Sequence, residues 1–328
     1  MKAPCKVPGL FLTFAFALGL AVVSGASTAQ SYPSRPITFV VGFAPGGGTD
    51  VTARIIGKEL AERLGQPVLV DNKPGAAAII ATEYVAKAAP DGYTLLAAAS
   101  GQMVYNPGVY SKLPYDPAKS FIPITLFNLD PLVFAVHPSV PAKTIKEYVA
   151  LAKAKPGTLF YSSAATAFQV ATEHFKKQAG VNVVYVPYKG AAPAVTAAVS
   201  GEVSLIVMSI PPILTQLRAG KLRALAINGP ERSRFMPDIP TAAESGLDFE
   251  GNTWSGLFAP AGTPRAVIDK LYGELSIILK SDSMKERFAS MGQETRGMGM
   301  PPAEFDAFFR AELAKWTKVG RDLNIRAD

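Results

Sequence analysis

Cysteine is all but absent: Cys5 is the only one, and it precedes an apolar stretch near the N-terminus. The rest of the chain therefore offers no disulfide, thiolate nucleophile or cysteine metal site. Histidine is nearly as scarce, with only His137 and His174, and neither stands in a metal-ligand spacing such as HExxH. His137 closes an apolar run before Pro138, and His174 lies beside Glu173 and Lys176 on a helical pattern, so both read as structural. The acids are dispersed, and Asp116, Asp130 and Asp238 each stand next to a proline in a turn-like context. No GxSxG elbow and no SxxK occurs, which leaves a serine nucleophile without support. Nothing in these residues points to an enzyme, and no metal or cofactor is expected.

Long apolar runs are lacking too. Gly9–Val23 falls short of the roughly 20 apolar residues of a spanning helix. With Lys2 and Lys6 before it and the small residues Ser24–Ala29 after it, it has the form of a secretory leader over residues 1–29. Cleavage is expected after Ala29, with Ala26 as the alternative, and the mature chain is expected in the periplasm. Cys5 precedes the apolar stretch, so it cannot be the lipidated first residue of a lipoprotein. The formal charge is +7, and loss of Lys2 and Lys6 leaves a modestly basic mature chain. The basic residues are scattered along helical patterns, as at Lys176-Lys177 and Lys315–Lys318, without the aromatic-interleaved runs of a nucleic-acid groove. No nucleic acid is expected, whereas an acidic small ligand suits the charge.

The most informative local feature is the loop Gly42-Phe43-Ala44-Pro45-Gly46-Gly47-Gly48-Thr49-Asp50, which joins the strand-like Ile37–Val41 to an amphipathic stretch from Asp50. Glycines let backbone N–H groups approach a ligand, and a helix N-terminus behind them favours negative charge. The P-loop pattern requires Lys and Ser/Thr after its last glycine, and Gly47 is followed by Gly48-Thr49. The dinucleotide fingerprint requires a third glycine where Val51 stands. A carboxylate is therefore the leading reading, and a plain turn with Asp50 or Thr49 as helix cap is the alternative.

Strand-like and helical stretches alternate twice. The first series is Ile37–Val41, Asp50–Leu64, Val68–Val70, Ile79–Ala88 and Thr94–Ala98. The second is Leu132–Val136, Thr144–Ala154, Leu159–Ser162, Ala167–Ala179, Val183–Val186, Ala192–Ser200, Val203–Met208, Ile213–Ala219 and Leu222–Ile227. This alternation implies parallel α/β sheets, and the length implies two domains. A strand-rich piece over Ile122–Val136, broken at Asp130-Pro131, is expected to make the first crossing, and Asp248–Pro260 the return. Helices over Pro264–Lys280 and Pro302–Leu323 follow. The boundaries expected are 30–130 for the first part of domain 1, 131–247 for domain 2, and 248–328 for the return of domain 1.

Several blocks together carry a resemblance: Tyr32–Asp50, Asp71-Asn-Lys-Pro-Gly75, Ala88-Ala-Pro-Asp-Gly-Tyr-Thr-Leu-Leu96, Val186-Pro-Tyr-Lys-Gly190, Ala219–Ala226, Pro237–Gly246 and Trp254–Pro264. In this order the chain resembles the extracytoplasmic solute receptors of tripartite tricarboxylate transporters, the Bug receptor family. The resemblance implies a two-domain, type II-like periplasmic binding protein: two α/β lobes around a ligand cleft, with two crossings between them. It further implies capture of a small ligand, often a carboxylate, and its delivery to membrane permease subunits; a monomer and a di- or tricarboxylate are expected, an aromatic one if Phe168 faces the cleft. A receptor that docks instead on a membrane sensor domain is the alternative.

The resemblance also directs attention to particular residues. Phe43, Ala44, Gly46, Gly47 and Gly48 are expected to hold the ligand carboxylate in the first lobe, partly through water, which bridges almost as well as a direct bond. Ala78 opens the second helix, and Ser100 and Gln102 follow the third strand, at the carboxyl edge where α/β sheets bind ligands. In the second lobe Ser162, Ser163, Thr166 and Gln169, with Tyr188 and Lys189, are the expected contacts. Two departures from the family pattern stand out. Gly75-Ala76-Ala77-Ala78 replaces the usual Gly-Ala-Gly-Gly, adding methyl groups at the cleft floor. Ala165-Thr166-Ala167-Phe168-Gln169-Val170 replaces Gly-Ser-x-x-His-Leu, so that Phe168 either stacks on a planar ligand or packs inward. Trp254 is either a cleft wall or a hinge anchor.

Overall fold

The computed structural model describes residues 32–188, 190–247, 249 and 251–327. The expected leader, its cleavage site and Lys189 lie outside the described residues. The chain divides into the units Met1–Ser34 and Arg35–Asp328, and every element below belongs to the second.

Strand β1 (Ile37–Val41) is buried along almost its whole length. Phe39 faces Gly57 of helix α1 (Gly48–Leu64), whereas Val40 joins Ala81 and Val85 of α2 (Ile79–Ala86). Alternate side chains thus meet helices on opposite faces, which is why the strand reads as a continuous apolar run. Helix α1 ends on Gly65 in the left-handed region, whose N–H donates to Ala61 O at 3.0 Å,. Strands β2 (Val68–Asn72) and β3 (Thr94–Ala99) flank β1 in parallel. A π-helical turn over Gly101–Tyr105 then runs into the short α3 (Asn106–Val109).

Strand β4 (Phe121–Val136) is the spine of the molecule. It continues through Asp130-Pro131, correcting the expected break. From Phe121 to Pro131 it pairs antiparallel with β9 (Asn252–Pro260), and from Leu132 to Val136 with β7 (Leu205–Ser209) and β8 (Arg223–Asn228). Pro131 falls where the partners change, so its missing N–H interrupts neither ladder. Helix α4 (Ile145–Ala154), β5 (Phe160–Ser163), α5 (Thr166–Ala179), β6 (Val184–Pro187), α6 (Ala191–Ser200) and α7 (Ile210–Arg218) complete the second half, with β7-β5-β6 parallel. Beyond β9 come α8 (Arg265–Lys280), α9 (Asp282–Ser290) and α10 (Pro302–Asp322). The strand order β2-β1-β3-β9-β4-β7-β5-β6, with β8 also on β4, joins two parallel groups through antiparallel crossing strands. The expectation of parallel sheets therefore holds for each group but not for the crossings.

The first lobe's core gathers Trp254, Phe258, Phe305, Phe309 and Trp316 between β9 and α10. Trp254 is 1% exposed and makes edge contacts with Phe305, Phe308 and Phe309. It is an anchor of the return strand, not a cleft wall. Helices α3 and α10 touch backbone to backbone: a Cβ on Gly320 would stand 2.9 Å from Gly108. Two further clusters, around Phe134 and Phe175 and around Ile206 and Ile213, form the second lobe on the two sides of its sheet.

Candidate functional site

The carboxyl ends of β1, β2 and β3 place three segments together: the loop 42–47, the turn 75–78 and the start of the π turn at Ser100. Asn72, the last residue of β2, ties the end of that strand to the loop and to α1 by donating from Nδ2 to Phe43 O at 3.0 Å and to Asp50 Oδ1 at 2.9 Å. Asp50, 2% exposed, also accepts the Gly46 N–H at 2.9 Å and Arg54 Nε at 3.0 Å, while Arg54 reaches Asn72 Oδ1 at 2.8 Å. Burial would raise the Asp50 carboxyl, but the hydrogen bonds from Arg54, Gly46 and Asn72, with the charge of Arg54, hold it below the ordinary aspartate range,.

This network corrects the reading of Asp50 as a helix cap. Asp50 is not the N-cap of α1; that place belongs to Gly47, which has no side-chain cap, and Asp50 sits in the first turn and reaches back over the loop. The Gly46 N–H donates to Asp50 in this network. The donors left at this edge are those of the first turn, Gly48 and Thr49, which have no acceptor within their own helix. Gly48 is exposed, Phe43 and Gly47 are partly so, and Ala44 is exposed. This rim needs no titrating partner to hold an anion.

Ser100 and Gln102 lie beneath the rim. Ser100, 1% exposed, accepts the Trp254 N–H at 3.4 Å. Gln102 is fully buried, accepting the Ala99 N–H at 3.2 Å and donating to Thr82 Oγ1 at 3.2 Å. Both hydrogen-bond within the framework of the first lobe. Ala78 is buried as well.

In the second lobe, Ser162 donates to Ala194 O at 3.2 Å and Ser163 to Ala165 O at 3.1 Å, and both are buried. The Ser162 hydroxyl ties β5 to α6, and the Ser163 hydroxyl braces the turn from β5 into α5. Thr166 and Gln169 are partly exposed on the first turn of α5, whose N-cap Ala165 has no side-chain cap. The Tyr188 hydroxyl donates to Glu202 Oε1 at 2.7 Å, and burial together with that carboxylate pushes the phenol up to about 12. Phe168 packs against both clusters of the second lobe, favouring the inward reading over stacking.

The two halves meet at this edge. Ala167 and Val170 of α5 are buried in the same cluster as Met103 and Val104 of the π turn. His174, farther along α5, lies against Phe249 at 5.3 Å and Trp316 of α10 at 6.3 Å between ring centres. At the crossing, Asp130 Oδ1 accepts the Glu294 N–H at 2.8 Å and Oδ2 accepts Asn128 Nδ2 at 2.6 Å. Glu294 accepts in turn from Ser233 Oγ at 2.6 Å. Two grooves, of about 480 Å³ beside Phe235 and about 570 Å³ beside Arg321, lie apart from these loops. Among the described residues no group of His, Asp or Glu side chains could hold a metal ion, and no helix is long and apolar enough to cross a membrane. Asn72, Arg54, Thr82 and Asn106, all part of the framework, were not singled out from the sequence. Only Asn72 stood in a quoted block, and its role depends on contacts across the sheet.

Two α/β halves joined by crossing strands define a two-lobe binding protein. Residues 52–325 match the model of the tripartite tricarboxylate transporter family receptor, and the chain belongs to that family. It is 33% identical to the protein BugT of Bordetella pertussis over 94% of this chain and 95% of that one. Among solved structures it is similar to R. palustris Rpa4515 with adipate, at 34% identity and a TM-score of 0.82, covering 90% of this chain and 99% of that chain. It is also similar to MatC from Rhodopseudomonas palustris with bound malate, at 33% identity and a TM-score of 0.79, covering 88% and 100%. The family is one of periplasmic receptors.

Proposed function

We propose that this chain is an exported, monomeric solute receptor that captures a small carboxylate between its lobes and delivers it to the membrane permease of a tripartite transporter. The observation that carries the reading is the uncapped start of α1, where the backbone N–H groups of Gly48 and Thr49 have no acceptor within the helix, together with the uncapped start of α5 in the second lobe,. Such donors hold an anion without performing chemistry on it. The relatives with adipate and malate support a carboxylate ligand. We divide the lobes at 130/131 and 247/248, because β4 changes partners at Leu132 and β9 begins at Asn252. Thr166 and Gln169 supply the side-chain contacts of the second lobe in this reading.

A thermal-shift series tests it. Occupancy at a hundredfold excess over Kd adds about 2.7 kcal/mol, worth several degrees of melting temperature for a chain of this size. Dicarboxylates are expected to raise the melting temperature and a neutral sugar to leave it unchanged; the reverse result overturns the anion reading. Mass analysis is expected to return the bound ligand intact. Loss of labelled-ligand uptake on deletion of the gene supports delivery to a permease, and unchanged uptake would favour the sensor alternative.

A further inference from the structure

The turn that follows β2 has every residue from Gly75 to Ala78 at positive φ, with Ala76 at +46°, Ala77 at +50° and Ala78 at +68°. An L residue enters this region against the clash of its Cβ with the backbone, and only glycine avoids it. A run of such alanines persists only where its surroundings over-determine it. Here they do. Asn106 Nδ2 donates to Ala77 O at 3.0 Å, and Thr82 Oγ1 donates to Ala78 O at 2.8 Å. Thr82 is itself held by Gln102 Nε2 at 3.2 Å, and all three donor residues are fully buried. On the other side stands Gly42, where a Cβ would come within 2.4 Å of the Ala78 methyl, so that only glycine leaves room for it. A buried polar scaffold and an opposing glycine thus hold methyl groups in a backbone shape suited to glycine.

The Ala78 methyl is buried against Gly42, at the foot of the loop that leads into α1. Ala76 and Ala77 are exposed, together with Pro74, Ile80 at 51% and Tyr84 at 50%, and Lys73 Nζ lies 4.5 Å from the centre of the Tyr84 ring. We propose that the left-handed turn Ala76–Ala78 is the specificity-determining wall of the first lobe, selecting carboxylates with an apolar methylene body over hydroxylated ones, adipate over malate. The inference rests on the carboxylate reading given above. A carboxylate seated on the first turn of α1 lays its body beside this turn. Methylenes lose water there at no polar cost, whereas a hydroxyl turned toward the methyls loses its water and gains no partner. Glycines at the same positions would leave backbone amides open to that hydroxyl.

The test compares the wild type with Ala77→Gly/Ala78→Gly by calorimetric titration with adipate and with malate, alongside thermal melts without ligand. The wild type is expected to bind adipate about tenfold more tightly than malate, and the variant to shrink that ratio to about threefold or less. The melting temperature of the free variant is expected to rise by a few degrees as the left-handed alanines are relieved. Ala77→Gly alone, whose methyl is exposed, serves the same comparison should the double variant fail to fold. Malate binding the wild type as tightly as adipate, or a ratio unchanged in the variants, overturns the inference while leaving the carboxylate reading standing. Failure of both anions to bind the wild type overturns the carboxylate reading and the inference with it.

Discussion

Asp50 is a carboxylate placed where a ligand carboxylate would otherwise be drawn, and its position explains how the loop 42–47 keeps its shape without a ligand. Its three donor groups come from the loop, from its own helix and from β2, so removing the side chain takes an acceptor from Gly46 N–H, Asn72 and Arg54 at once. Asp50→Ala is expected to cost about 1–3 kcal/mol in chemical denaturation and to weaken ligand binding through loss of loop order. Because its pKa is lowered on folding, the contribution of Asp50 is fully present above the unfolded aspartate value and is lost as pH falls through the folded one. Melting curves between pH 5 and 2 are expected to fall more steeply for the wild type than for Asp50→Asn. At this scale the sequence was only partly legible. Glycine spacing located the donor rim, but which N–H groups remain open was decided by Asp50, Arg54 and Asn72, and a contact between α1 and the end of β2 has no local signature. Ser162, Ser163 and Gln102 had the right chemistry at the right edge. Their polar atoms bond within the protein: Ser162 to Ala194 O of α6, Ser163 to Ala165 O in the β5–α5 turn and Gln102 to the Ala99 N–H at the end of β3,.

Elements were more legible than residues, since buried parallel strands and amphipathic helices leave periodicity that neighbours do not change. Ile37–Val41 matched to the residue, and most other bounds shifted by only one or two positions. The departures have physical causes. Strand β4 passes through Pro131 because the change of partner falls there, α9 is short and polar with Ser281 as its cap, and the π turn over Gly101–Tyr105 lacks an ordinary helical repeat. The left-handed turn was legible only as a departure from glycine. The contact of α3 with α10 is a feature that sequence alone does not disclose, because neither glycine needs an unusual φ. Gly320→Ala would put a methyl 2.9 Å from the backbone of Gly108, and the helices would have to part. The expected loss is about 1–3 kcal/mol, measured as a lower denaturation midpoint with unchanged slope. A midpoint equal to wild type would show that the helices separate freely.

For the whole molecule, the double βα series made two lobes legible, while the contacts that set one lobe against the other come from isolated side chains far apart in the chain. Two of these contacts titrate with opposite sign. Burial, opposed by the Glu294 N–H and Asn128 but aided by the negative charge of Glu294, pushes the Asp130 carboxyl up to about 7. A raised acid stabilises the fold fully below its unfolded value, and that contribution is lost as pH rises through the folded one, so Asp130 lowers stability between about pH 4 and 7. His174 is held below the ordinary histidine range by burial first, and then by Lys315 and Lys177. Its contribution is present above the unfolded value near 6.5 and is lost as pH falls through the lower folded one. The two slopes oppose each other in the wild type, where the profile is expected to be shallow near neutral pH. Each single variant then exposes the other group: Asp130→Asn is expected to leave stability rising with pH through the histidine range, and His174→Phe to leave it falling as pH approaches 7. Melting temperatures from pH 4 to 8 for the wild type and both variants decide the matter, and parallel profiles would show that neither group titrates with folding. Because His174 stands between α5 and α10, whereas Asp130 lies within the crossing strand, ligand added at each pH separates their roles further. Protonated His174 would set a third cation beside Lys315 and Lys177 where the lobes touch. The ligand-induced rise in melting temperature is therefore expected to shrink at acid pH in the wild type and in Asp130→Asn, but not in His174→Phe.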